Sequence, residues 1–171
     1  MGGGRIGAVV IRPLGAEDRS WMVSALTGVW GSTLVARDGQ LIDAAGLPGL
    51  VALSEDRRIG LVTLSLVGRR CEVVTLQVEQ EGRGVGRALM AAATTTARAW
   101  GATMLWLVTT NDNGRAIALY EGLGLELVEL RVDGVAASRA VKPSIPLVRA
   151  DGTPVRDELV YAVDVAGTAP G

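Results

Sequence analysis

Glu81-Gly82-Arg83-Gly84-Val85-Gly86-Arg87 joins two stretches of different period. Before it, Val74, Leu76 and Val78 alternate with Thr75, Gln77 and Glu79, the two-residue repeat of a strand. After it, Val85, Leu89, Met90, Ala93, Ala97 and Trp100 recur at helical spacing. Three alternating glycines make the turn and let another molecule approach the backbone N–H groups. The charges are as informative as the glycines. A cation in the first turn of a helix opposes the macrodipole at a cost of about 0.3–1 kcal/mol. Arg83 and Arg87 nevertheless stand where Asp or Glu would be favoured. An anion docked on the free N–H groups reverses that cost, so the turn reads as a phosphate or pyrophosphate site. The plainer alternative is a strand-to-helix turn carrying two solvated arginines.

Two familiar phosphate loops do not match. Arg87-Ala88 replaces the Lys-Ser/Thr ending of a nucleoside-triphosphate loop. A dinucleotide fingerprint needs its third glycine one residue later and an acid about 20 residues on. The next acid after Glu81 is Asp112, which is too far away.

The rest of the composition narrows the chemistry. A chain of 171 residues is one domain in expectation, spanning 1–171 with an ordered core over 5–165. It is 49% hydrophobic but only 4% aromatic, without Phe, so Val, Leu, Ile and Ala must build the core. A net charge of −1 does not suggest a nucleic-acid-binding surface. The absence of His removes His-based triads and His metal sites, and one cysteine, Cys71, excludes an internal disulfide and a thiolate cluster. No metal site is expected. The N-terminus lacks the apolar core of a signal peptide, and the apolar run 99–110 is too short to span a bilayer. A soluble cytoplasmic protein is the expectation. Gly2-Gly3-Gly4 and Thr168 to Gly171 read as frayed ends.

Taken in order, Ile6 to Ile11 predicts a strand that Pro13 ends. Glu17 and Asp18 open a helix with Trp21, Met22, Ala25, Leu26 and Val29 on one face. Thr33 to Ala36 is extended, and Gln40 to Ala45 reads as a helical turn broken at Leu47-Pro48-Gly49. Leu50–Leu53 and Ile59–Val67 form a hairpin across Glu55-Asp56-Arg57-Arg58, and Glu72–Val78 pairs next to it. Beyond the glycine-rich turn and its helix, Met104–Thr109 is a strand. Asn111-Asp112-Asn113 caps a helix from Gly114 to about Leu123, which Gly124 stops. Leu125–Val132 and Arg156–Val165 are the last strands, and the stretch 133–155 between them reads as a long loop.

Two patches together resemble the GNAT superfamily of acyl-CoA-dependent N-acetyltransferases. Glu81-Gly82-Arg83-Gly84-Val85-Gly86 is similar to its Gln/Arg-x-x-Gly-x-Gly/Ala pyrophosphate loop, with Glu81 in place of Gln or Arg. Asn113-Gly114-Arg115-Ala116, followed by Tyr120 to Leu125, is similar to its Asn-x-x-Ala and Tyr-x-x-x-Gly-Phe run, with Leu125 in place of Phe. The likeness covers roughly Leu50 to Val132. Pro154 to Leu159 also matches a Pro-x-Arg-Asp-Glu-Leu run of a bacterial subgroup.

The resemblance implies an α+β (α/β) fold. Its mixed, mostly antiparallel sheet has about seven strands, helices on both faces, and a splay between the fourth and fifth strands. These are Glu72–Val78 and Met104–Thr109. Acetyl-CoA is the implied co-substrate. Main-chain groups of Leu76, Gln77 and Val78 would hold its pantetheine arm. The N–H groups of Gly82, Arg83, Gly84, Val85, Gly86 and Arg87 would hold its pyrophosphate, and Asn113 would touch the arm from the far side. The implied reaction is direct attack of an amine on the thioester. Tyr120 is then the general acid and also lies against the cofactor, Glu72 is the base acting through water, and a backbone N–H near Val78 polarises the carbonyl. Asp112, Asp157 and Glu158 are rival bases. Trp30 and Trp106 are candidates to wall the acceptor side. The acceptor is a small-molecule or protein amine, and the resemblance also admits a homodimer. A non-catalytic acyl-CoA-binding sensor or partner module is the alternative of a different class; a nucleotide-binding protein is a weaker third.

Overall fold

The computed structural model describes residues 8–167. Ile6, the glycines 2–4 and the C-terminal residues 168–171, named above, lie outside them. The elements in order are β1 (Val9–Pro13), α1 (Arg19–Trp30), β2 (Leu34–Arg37), β3 (Gln40–Asp43), β4 (Gly49–Ser54), β5 (Arg57–Val67), β6 (Arg70–Val78), α2 (Val85–Ala99), β7 (Met104–Thr110), α3 (Gly114–Gly122), β8 (Glu126–Arg131), α4 (Val135–Val141) and β9 (Glu158–Asp164). Seven strands form one sheet in the order β1-β4-β5-β6-β7-β9-β8; β2 and β3 form a separate hairpin. Every neighbouring pair in the large sheet is antiparallel except β6–β7, joined in parallel through α2.

Alternation along the strands sends side chains to two cores, one on each face. Leu64, Val73, Leu105, Leu107 and Tyr161 pack with Val85, Leu89, Met90, Ala93 and Ala97 of α2 and with Tyr120 of α3. On the other face Leu61 packs with Met22 and Leu26 of α1 and with Ala44 and Ala45. Helices therefore cover both faces, as expected.

β6 and β7 pair only from Arg70↔Met104 to Glu72↔Trp106. Past that vertex they diverge, and the splay expected between the fourth and fifth strands is present. β6 also carries a bulge, because Thr63 opposes Thr75 while Leu64 opposes Val73. Cys71 is fully buried at the vertex, and burial pushes its thiol up to about 11, so it serves as filler rather than nucleophile.

Three segments differ from expectation. Gln40–Asp43, read as part of a helical turn, is the second strand of a hairpin whose turn is Asp38-Gly39. Both turn residues have left-handed φ, 52° and 68°, which an Asp-Gly pair supplies at little cost. The stretch 133–155 is not wholly loop: Val135–Val141 is helical, with Val135 and Ser138 turned into the interior. The other hairpin turns at Glu55-Asp56 alone, leaving Arg57 and Arg58 inside β5.

Asp18 anchors α1. Its carboxylate is fully buried and accepts from Arg12, from Arg58 and from the Gly15 N–H. The Arg12 guanidinium, above all, holds that carboxyl far below the usual carboxylate range.

Candidate active site

The splay opens into a cleft of about 1840 Å³ that reaches from the glycine-rich turn past Tyr120 to α1 and α4. One wall is the free flank of β6. Glu79 donates its N–H to Ile59 of β5. Successive residues of a strand point their N–H groups to opposite edges, so those of Val78 and Leu76 face the cleft. No strand pairs with them there, because β7 has already diverged.

The glycine-rich turn closes one end. Gly82 and Gly84 have φ of 75° and 77°, and Gly84 caps α2. A Cβ on either would meet nothing within 4 Å, so glycine is required here for its left-handed backbone and not for packing space. The first N–H groups of α2 lack intrahelical partners, as at any helix start, and Gly82, Gly84, Val85, Gly86 and Arg87 all line the cleft. No acidic residue stands in that first turn. The Arg87 guanidinium reaches back to the Gly122 carbonyl at 3.4 Å. Glu81, the departure from the family loop, is ion-paired with Arg115 in the first turn of α3. Its negative charge is thereby offset beside the place where an anion would sit.

On the β7 side, Asn113 caps α3, its side chain accepting from the Ala116 N–H at 3.4 Å. Two turns on, Tyr120 lines the cleft while remaining only 8% exposed. Burial pushes its hydroxyl up to about 12. Its ring lies 6.2 Å from that of Tyr161, whose hydroxyl donates to Glu121 at 2.8 Å.

Glu72 sits at the vertex, 4% exposed and outside the cleft lining. Arg37 grips both of its oxygens, Nε to Oε1 and Nη2 to Oε2, each at 2.7 Å. The same guanidinium lies 5.6 Å from the Trp106 ring, with Arg70 at 5.2 Å. Trp106 is thus tied to this cationic cluster and does not line the cleft, whereas Trp30 does.

The rival carboxylates are placed differently. Asp157 is paired with Arg156 and caps the Asp133 N–H. Glu158, 2% exposed, accepts from the Asp38 N–H, from Ser138 Oγ at 2.6 Å and from Arg131. It pins the β2–β3 hairpin to α4. Asp112 lines the cleft and accepts from Arg149 at 2.8 Å. α4, unforeseen from sequence, is followed at its C-terminus by Lys142, whose Nζ donates to the carbonyls of Trp30 and Leu34. Spacing of Val135, Ser138 and Val141 at three residues was the signal for this helix.

Among the described residues no cluster of His, Cys, Asp or Glu suits a metal ion, and no helix is long and apolar enough to cross a membrane.

Comparison with known proteins agrees with this geometry. Residues 19–125 match the model of the acetyltransferase (GNAT) family. The chain is 35% identical over 137 residues to the uncharacterized protein YxbD of Bacillus subtilis (strain 168), covering 80% of this chain and 86% of that one. The fold is similar to the IAA acetyltransferase from Bacillus cereus ATCC 14579, with a TM-score of 0.70 at 21% identity over 92% of this chain and 99% of that one. It is also similar to a GNAT family acetyltransferase from Elizabethkingia anophelis with acetyl-CoA bound, with a TM-score of 0.65 at 14% identity over 91% of this chain and 97% of that one. With its splayed strands, its glycine-capped helix and a family match over more than half its length, the chain belongs to the GNAT family of acetyltransferases.

Proposed function

We propose that the protein transfers an acetyl group from acetyl-CoA to a primary amine by direct attack. The observation that carries this reading is the unpaired flank of β6 running into the N-terminus of α2. An extended pantetheine arm, with amide groups of its own, suits the cleft-facing N–H and C=O groups of Leu76 and Val78, whereas those of Gln77, expected to join them, turn the other way to Leu61 of β5. The pyrophosphate suits the N–H groups from Gly82 to Arg87. Asn113 faces the arm from α3.

In the reaction, the amine nitrogen bonds to the thioester carbonyl carbon, and negative charge gathers on the carbonyl oxygen. The cleft-facing N–H of Val78 is the donor proposed to stabilise it. The C–S bond then breaks, and the Tyr120 hydroxyl protonates the departing thiolate. The proton lost by the nitrogen is relayed through water by way of the base and back to Tyr120, which returns both groups to their starting forms. Glu72 is proposed as the remote base. Both its oxygens are held by Arg37, so it acts only through water at the vertex and not on the amine itself.

The second reading, an acyl-CoA-binding sensor, draws on the two departures from the family pattern, Glu81 and Leu125; the Glu81–Arg115 pair weakens the first. Mixing the protein with acetyl-CoA and an amine panel, and following free thiol, separates the two. Thiol release that depends on the amine supports transfer. Tight CoA binding without release across the panel supports the sensor.

A further inference from the structure

Two buried side-chain oxygens have no hydrogen-bond partner among the described residues, Gln77 Oε1 and Asp112 Oδ1. Both residues line the cleft, and they belong to opposite walls: Gln77 is on β6, Asp112 in the β7–α3 connection.

Each orphan is fixed by what its other atom does. Gln77 donates Nε2 to the Ala25 carbonyl of α1 at 3.0 Å. A carbonyl only accepts, so the amide orientation is determined and Oε1 is the atom left over. Asp112 Oδ2 accepts from Arg149, and the Asp112 side chain is 9% exposed. A buried acceptor without a donor is costly, and the cost is removed when a ligand supplies the donor. Both orphans accept; neither donates. The pyrophosphate and thioester of the cofactor offer acceptor oxygens and cannot serve them. Its pantetheine amide N–H groups and its hydroxyls can, as can the ammonium and hydroxyl groups of an acceptor. The free N–H and C=O groups along β6 already match the amides, and an ammonium, which donates and is also charged, is the strongest partner for the Asp112 carboxylate.

We propose that Gln77 and Asp112 are specificity-determining residues that recognise the acceptor. They select a cationic amine with at least one further N–H or O–H donor and disfavour one carrying a carboxylate. This rests on the acetyltransfer reading for the identity of the cleft's second ligand.

Calorimetric titration of the full chain saturated with CoA tests it, with diaminobutane, butylamine and γ-aminobutyrate as probes. Asp112→Asn keeps the shape but places an NH2 where the orphan oxygen stood. Arg149→Ala removes the clasp and keeps that oxygen. Gln77→Met keeps the length without the carbonyl. The expected result is tightest binding of diaminobutane, weakened by about tenfold or more in Asp112→Asn and in the same direction in Gln77→Met. CoA binding stays within about twofold in both variants, and Arg149→Ala retains diaminobutane. Equal binding of γ-aminobutyrate and diaminobutane, no binding of diaminobutane, a loss in Arg149→Ala equal to that in Asp112→Asn, or a shift in CoA affinity instead would each overturn the proposal. Thiol release is measured separately. Its failure, with amine binding as expected, defeats catalysis and leaves recognition standing.

Discussion

Arg37 of the β2–β3 hairpin holds Glu72 of β6 by both carboxylate oxygens at 2.7 Å, across 35 residues of sequence. The pair fastens the hairpin over the vertex of the splay, and the Glu72 side chain there is 6% exposed. Arg37→Ala leaves a buried carboxylate unpartnered, which costs about 3 kcal/mol or more. Glu72→Gln retains one good hydrogen bond and costs less. Chemical denaturation reads both. If Glu72 takes the amine's proton through water, Glu72→Gln also lowers kcat, while CoA affinity holds.

Removing the Tyr120 hydroxyl should strike turnover rather than binding. Tyr120→Phe is expected to lower kcat by about 100-fold, the usual share of a positioned acid. The CoA dissociation constant should change little, since the ring remains in place. Unchanged steady-state turnover would take Tyr120 out of the mechanism.

The protein's two tyrosines, Tyr120 and Tyr161, are both pushed up to about 12, chiefly by burial. Ultraviolet titration of phenolate should therefore show no step near pH 10, the ordinary tyrosine value. The sign follows directly. The folded state holds these protons more tightly than the unfolded chain, so the associated stability is complete below about pH 10 and is lost as pH rises towards 12. Alkaline unfolding and phenolate appearance should coincide.

Asp18 predicts the opposite dependence. Its folded carboxyl is held far below the ordinary value, mainly by Arg12, so the stability it gives is present above about pH 4 and falls away in acid. Asp18→Asn should cost about 3 kcal/mol at neutral pH, and the difference from the native chain should shrink as the pH drops below 4. Urea denaturation at several pH values measures this.

At the glycine-rich turn, Gly84→Val puts a β-branched residue at φ 77°. The backbone penalty is about 1–2 kcal/mol, and CoA affinity should fall together with thermal stability. Gly114→Ala, at the first position of α3 with open space around it, is the control that should leave both nearly unchanged.

Much of this frame was legible because it is written locally. The alternation of Val74, Leu76 and Val78, the helical spacing of α2 and the Asn113 cap each depend on neighbours a few residues away. Asp38-Gly39 is just as local a signal, and it is this turn that makes Gln40–Asp43 a strand and not a helical turn. The grip of Arg37 on Glu72 and the capture of Glu158 by Asp38 and Ser138 have no such signature, because they join segments far apart in the chain. The orphan atoms of Gln77 and Asp112 are equally silent in sequence, since being without a partner is a property of surroundings, not of residue type.

β8 forms the outer rim of the large sheet and shows Leu127, Val128 and Leu130 to solvent. Glu126, Glu129 and Arg131 interrupt that greasy margin, and Glu129 and Arg131 are themselves ion-paired. Such charges discourage a neighbouring molecule from adding its own strand. Neutralising them would give a protein whose yield and shelf life suffer before its chemistry does.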